Sequence, residues 1–114
     1  MKESLKVLQE CAELQQQKSK DYQNEKSRIR QADHYPRGCA TILDMVHQKL
    51  TRIYSVMEAA EDGSEPNFES LEDSAKDAIN YLSFFVSYKR GKMEGQSVDK
   101  DFLNKPIIAR IKND

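Results

Sequence analysis

ESLEDSAKDAINYLSFFVSYKR, residues 69–90, is the stretch whose pattern decides the fold. Leu71, Ala75, Ala78, Ile79, Leu82, Phe85 and Val86 recur three and four residues apart, the spacing of an α-helix with one apolar stripe. Tyr81, Phe84 and Tyr88 add a second stripe, so this helix should meet neighbours on two sides, one of them open to being another subunit. Before it, the acidic segment EDGSEPNF (residues 61–68) carries the glycine and proline of a loop. A second helix is expected from Cys39 to Ala60, with Ile42, Met45, Val46, Leu50, Ile53, Val56 and Met57 turned inward. A first helix is expected from Lys2 to Gln17, placing Leu5, Leu8, Cys11, Ala12 and Gln15 on one stripe that Val7 and Leu14 widen.

Between these helices the polar stretch from Lys18 to Gly38 reads as a connection with a short helix around Gln23 to Ala32, closed by Tyr35-Pro36 and Gly38. After Gly91 the pattern weakens, and residues 91–114 read as a tail whose cluster Pro106-Ile107-Ile108 docks on the bundle or on a partner chain. The expected fold is therefore all-α, with three main helices plus a short connecting helix. The 114 residues suffice for one domain. Hydrophobic residues make up only 38% of them, a lean core that oligomerisation would complete.

Composition excludes several classes. Eighteen basic and nineteen acidic residues leave a net charge of -1, which argues against direct DNA or RNA binding through a basic surface. The mean hydropathy of -0.82 and the lack of a long apolar run give no membrane span. The start, MKESLKVLQE, has no apolar signal region, so a cytoplasmic location is expected. Cys11 and Cys39 match neither a disulfide framework nor a zinc spacing and read as free thiols. No glycine-rich phosphate loop or GxSxG element occurs.

What remains is charge at positions where apolar residues are expected. Lys49 and Arg52 fall within the inward arc of the second helix. Asp73, Asp77, Asn80 and Tyr81 share one face of the third. Burying an unpaired charge costs several kcal/mol, so the two sets should meet. They form either a structural ion-pair network or a polar pocket in which carboxylates hold Mg²⁺ and the cations meet phosphate oxygens. Glu10 and Glu13, spaced i,i+3, are a second candidate metal pair, and Lys18, Lys20, Asp21 and Tyr22 follow them, with Tyr22 placed either to stack on a base or to cover the bundle end.

The pieces Lys18-x-x-Asp21-Tyr22, Lys49-x-x-Arg52-Ile53 and Glu72-Asp73-x-x-x-Asp77-x-x-Asn80-Tyr81 occur in order between Leu8 and Tyr88. Together they resemble the nucleotide-modification-associated domain 1 family, small helical proteins largely of phages and bacteria. That family is similar in turn to the MazG-like all-α nucleoside triphosphate pyrophosphohydrolases. The resemblance implies a nucleotide-binding helical domain over residues 1–90, usually oligomeric. Glu10, Glu13, Glu72, Asp73 and Asp77 would hold Mg²⁺, with Glu72, Asp73 and Asp77 catalytic. Lys18, Asp21, Tyr22, Lys49, Arg52, Asn80 and Tyr81 would contact nucleotide.

The sequence departs from the MazG-like pattern of paired ExxE and ExxD motifs. The second helix has no ExxE, and the third carries Glu69-x-x-Glu72 and Asp73-x-x-x-Asp77 instead. Hydrolysis needs a dense carboxylate cage for metal and water. Three functions therefore compete: a Mg²⁺-dependent nucleoside triphosphate pyrophosphohydrolase or related nucleotide-pool enzyme, a non-catalytic protein sequestering a nucleotide or cyclic nucleotide signal in phage anti-defence within the host cytoplasm, and a helical interaction module with no ligand.

Overall fold

In the computed structural model, residues 1–22, 27–63 and 65–107 are described, residues 21 and 22 by their backbone alone. Three α-helices build the protein: α1 (Glu3–Tyr22), α2 (Cys39–Glu61) and α3 (Phe68–Lys89), with a single 3₁₀ turn at Gln31–His34 between the first two. Among the described residues there is no strand, and extended pairing is limited to one antiparallel bridge, Lys100 with Pro106. The all-α class follows from helix-period stripes in all three segments and from breakers confined to their ends. At the start of α3, the Asn67 side chain accepts from the Ser70 N–H at 3.0 Å. Beyond its end, Gly91 takes φ +73, the left-handed step that stops a helix.

The connection differs from expectation. Residues 23–26 lie outside the described residues, and Ser27 to Arg30 are not helical. Side chains there take the backbone donors that a helix would use: Ser27 Oγ accepts from the Ile29 N–H at 3.1 Å, and Asp33 Oδ2 from the Arg30 N–H at 2.8 Å. α1 is correspondingly longer, because Gln15 to Lys20 are mostly strong helix formers that carry it past Gln17.

α2 and α3 form an antiparallel hairpin. The Cys39 thiol at the start of α2 points to the Phe85 carbonyl near the end of α3 at 3.6 Å, and Lys49 reaches Asp77 nearer the middle at 3.1 Å. The tightest core lies at the open end of this hairpin, where Ile42, Cys39 and Tyr88 are almost fully buried with Ala32, Tyr35 and Met93 around them. Residues 91–107 knit onto the same end; of the segment Pro106-Ile107-Ile108 expected to dock, Pro106 is exposed, Ile107 is half-buried and Ile108 lies outside the described residues. Met93 fills the cluster, the Gln96 amide donates to the Tyr88 carbonyl at 2.8 Å, and the Cys39 N–H donates to the Phe102 carbonyl at 2.9 Å. Gly38, at φ +55, makes this closure: a Cβ there would run into the Phe102 carbonyl and the Tyr88 ring.

Several side chains expected inside are not. Leu50 and Met57 on α2 are 44% and 49% exposed, and Leu82 and Val86 on α3 are 45% and 44% exposed. α1 meets only α3 to any extent, around Cys11 and Gln15, and Leu5 and Leu8, nearer its start on the same stripe, stay half-exposed. On α3 the stripe of Tyr81, Phe84 and Tyr88 is covered, and Leu82 and Val86 of the other stripe have no neighbour among the described residues to bury them. No described helix is long and apolar enough to cross a membrane.

Candidate functional site

Asp77 sits on the α3 face turned toward α1, one turn before Tyr81, and its carboxylate is shared. Oδ2 meets Lys49 Nζ from α2 at 3.1 Å and Oδ1 meets Lys18 Nζ from α1 at 3.4 Å. Three helices thus converge on one acid, whose side chain is 21% exposed. Beside it Asn80 is buried, and its Oδ1 accepts from the Gln15 amide at 2.8 Å, the same amide reaching Ser83 Oγ at 2.8 Å. These contacts tie α1 to α3 beside a cavity of about 890 Å³, lined from Gln15 and Lys18 of α1 across Asp77, Tyr81 and Phe84 of α3 to the segment Ser27–Tyr35.

The cavity has two chemistries. Its inner wall is Tyr35, Met45, Tyr81 and Phe84, with the Tyr81 and Phe84 rings edge-to-face, 5.9 Å apart at 85°. Its mouth carries Lys18, Arg28, Arg30 and His34. The two acids on the lining are both engaged, Asp77 by two ammonium groups and Glu94 by Arg30 at 3.6 Å. Three permanent cations against two acids leave the lining positive in a chain whose net charge is -1. The Arg28–Arg30 segment is fixed from below: the Ala32 N–H donates to the Glu94 carbonyl at 3.0 Å. Burial, and then the neighbouring Tyr81, push the Tyr35 phenol up from its ordinary value, against a hydrogen bond from Gln31 that lowers it; Tyr35 is thus a neutral hydroxyl at physiological pH.

Of the residues singled out in the sequence, Lys18, Asp77, Asn80 and Tyr81 line this cavity, and Lys49 stands behind it on Asp77. Arg52 and Asp73, expected to point inward, are exposed: each lies about one helical turn beyond the contact between Lys49 and Asp77, toward the loop end of the hairpin. Glu13 and Glu72 are exposed as well. Glu10 pairs with Lys76 at 3.2 Å, and that contact raises the Lys76 pKa. The side chains of Asp21 and Tyr22 lie outside the described residues.

Among the described residues, no group of three or more His, Cys, Asp or Glu side chains is placed to hold a metal ion, and this includes Glu10, Glu13, Glu72, Asp73 and Asp77. Of the two carboxylates on the lining, Asp77 faces ammonium groups on both oxygens and Glu94 faces the Arg30 guanidinium, so this donor set does not fit a Mg²⁺ site. The residues that sequence reasoning missed are Arg28, Arg30, His34 and Tyr35. Their signal was Arg28-Ile29-Arg30 just before Tyr35-Pro36: on extended backbone, alternate residues point the same way, which puts two guanidinium groups on one side.

Fold and site together define a class: an all-α protein with an inter-helix cavity, aromatic inside and cationic at the mouth. Compared with known proteins, the chain matches no family model, no curated protein and no solved structure.

Proposed function

We propose that this chain is a nucleotide-binding protein that retains its ligand in the cavity between α1, α3 and the Ser27–Tyr35 segment. The observation that carries this reading is the division of that cavity into an aromatic inner wall and a cationic mouth. A nucleotide has the same two parts, a flat base and a phosphate chain. Its volume of about 890 Å³ falls within the roughly 300–1,000 Å³ of small-molecule sites. The base lies against Tyr81 and Phe84, while Arg28, Arg30 and Lys18 meet phosphate oxygens. Lys18, its side chain 52% exposed, is free to swing from Asp77 to the ligand, since Lys49 still neutralises that acid.

Retention is favoured over hydrolysis by the carboxylates: of the two on the lining, Asp77 is neutralised by two lysines and Glu94 is paired with Arg30. We also read the working molecule as a homo-oligomer, as the half-exposed Leu50, Met57, Leu82 and Val86 suggest.

The test incubates the purified protein with nucleoside triphosphates and cyclic dinucleotides, with and without Mg²⁺, and identifies by mass spectrometry both the filtrate and the ligand released on denaturation. An intact nucleotide held by the protein is the expected result. Arg30→Ala should weaken its affinity about 10- to 100-fold, since a hydrogen bond to a charged group contributes about 1.5–3 kcal/mol. Monophosphate and pyrophosphate in the filtrate would replace retention with hydrolysis. An empty protein would remove the nucleotide reading.

A further inference from the structure

We infer that the hairpin face opposite the cavity is the docking surface for a second copy of this chain, packed antiparallel so that the acidic end of each hairpin lies on the basic end of the other. Met45 and Lys49 of α2, and Asp77, Tyr81 and Phe84 of α3, point toward the cavity side. At about 100° per residue, Leu43, Leu50, Tyr54 and Met57 fall on the other side of α2, and Leu82 and Val86 on the other side of α3. All six are between 44% and 66% exposed. Because the hairpin is antiparallel, with Cys39 near Phe85 and Lys49 near Asp77, these two stripes run side by side as one surface.

The chain exposes enough area to include an interface. It exposes 9110 Å², where a monomeric globular protein of 13.2 kDa exposes about 6,400 Å². The excess of about 2,700 Å², which this face shares with the open cavity and the lightly docked α1, leaves room for the roughly 800 Å² that each partner gives to a standard interface. The radius of gyration of 17.4 Å likewise exceeds the about 13 Å of a compact chain of this length.

Charge chooses the occupant and its direction. No lysine or arginine occurs between Arg52 and Lys76, so the loop end of the hairpin carries exposed Glu58, Glu61, Asp62, Glu69 and Glu72 without a basic residue among them. The open end carries exposed Lys89, Arg90 and Lys92. Two copies packed parallel would set acid on acid; packed antiparallel, they set each acidic end on a basic one. A second copy therefore supplies both the apolar area and the complementary charge.

This inference rests on the reading that the chain self-associates and is independent of what the cavity holds. The test combines sedimentation of the full chain with zero-length carbodiimide cross-linking, which joins an amine to a carboxylate only in direct contact. The expected species has twice the 13.2 kDa chain mass, and Lys89 or Lys92 is joined to Glu58, Glu61 or Glu69. Lys89 and Glu69 lie about 30 Å apart on one helix, so such a link cannot form within a chain. Leu50→Glu should yield a monomer with unchanged far-ultraviolet circular dichroism. The exposed pair Lys89→Glu/Arg90→Glu, which leaves the core untouched, should weaken the dimer at least tenfold at low salt. A monomeric wild type would overturn both self-association and its surface. A dimer that lacks the end-to-end links, or is indifferent to both variants, would overturn the surface and its direction while self-association stood.

Discussion

Asp77 is the residue on which the three helices agree, and its two bonds are unequal. Lys49, with a side chain 27% exposed, approaches at 3.1 Å, while Lys18, 52% exposed, stands at 3.4 Å. Screening by water weakens the second more than the first. Asp77→Asn keeps the shape and removes the charge, leaving a half-buried ammonium without its counter-ion, and should cost about 1–2 kcal/mol of stability. A double-mutant cycle with Lys49→Met, read from urea midpoints, should give a coupling of about 1 kcal/mol, and the cycle with Lys18→Met less than half of that. Equal couplings would show that the two lysines share the acid evenly. The meeting of Lys49 and Asp77 was legible in the sequence because unpaired charge on an inward arc is costly enough to demand a partner. Arg52 and Asp73 were misplaced by the same reasoning. A wheel drawn on one helix gives the direction of a side chain but not which neighbour covers it, and Arg52 and Asp73, one turn from the Lys49–Asp77 contact, reach solvent.

At the scale of elements, α2 and α3 were legible to within a residue at each end, because glycine, proline and a side-chain cap coincide with the ends of the apolar pattern. The connection was not, since a polar stretch has no periodicity to read and its conformation is set by local bonds from Ser27 and Asp33. The better half of the cavity mouth stands on that stretch, which is why its arginines escaped notice. α1 is a different case. Its 20 residues dock through a narrow line: the Cys11 thiol to the Lys76 carbonyl at 3.9 Å, Glu10 to Lys76, and Gln15 to Asn80 and Ser83. An element with so little burial opens more easily than the hairpin it leans on. Amide hydrogen exchange should therefore be at least tenfold faster in α1 than in the centres of α2 and α3. Bound ligand should slow α1 selectively, because Gln15, Lys18 and Ser19 line the cavity. Uniform exchange across the three helices would mean that α1 is held by more than these contacts.

The whole molecule has a lean core, and four of the groups tied to it can ionise. Cys39, Tyr35 and Tyr88 lie in the central cluster and Cys11 under α1, and burial is the leading cause of a raised pKa in each. The folded state therefore keeps these protons where the unfolded chain would release them. A group whose folded pKa is raised contributes stability that is complete below its unfolded value and is lost as pH climbs through the folded one. For the thiols that decline starts above the ordinary 9.0, and for the phenols above 10.0. Lys76 acts in the same direction above 10.5, since Glu10 holds its proton more firmly in the folded state. All five shifts have one sign, and they add on a fold whose margin is small. The urea midpoint should accordingly stay level through neutrality and fall steadily above pH 9. Cys39→Ala should flatten the first part of that fall while lowering the midpoint at every pH, because it removes the titrating thiol together with its packing on Ile42 and Tyr88. Thiolate absorbance should rise with unfolding, not before it. A midpoint unchanged through the alkaline range, or thiolate appearing in the folded protein near pH 9, would show that water reaches these thiols and that the open end of the hairpin is looser than its packing implies.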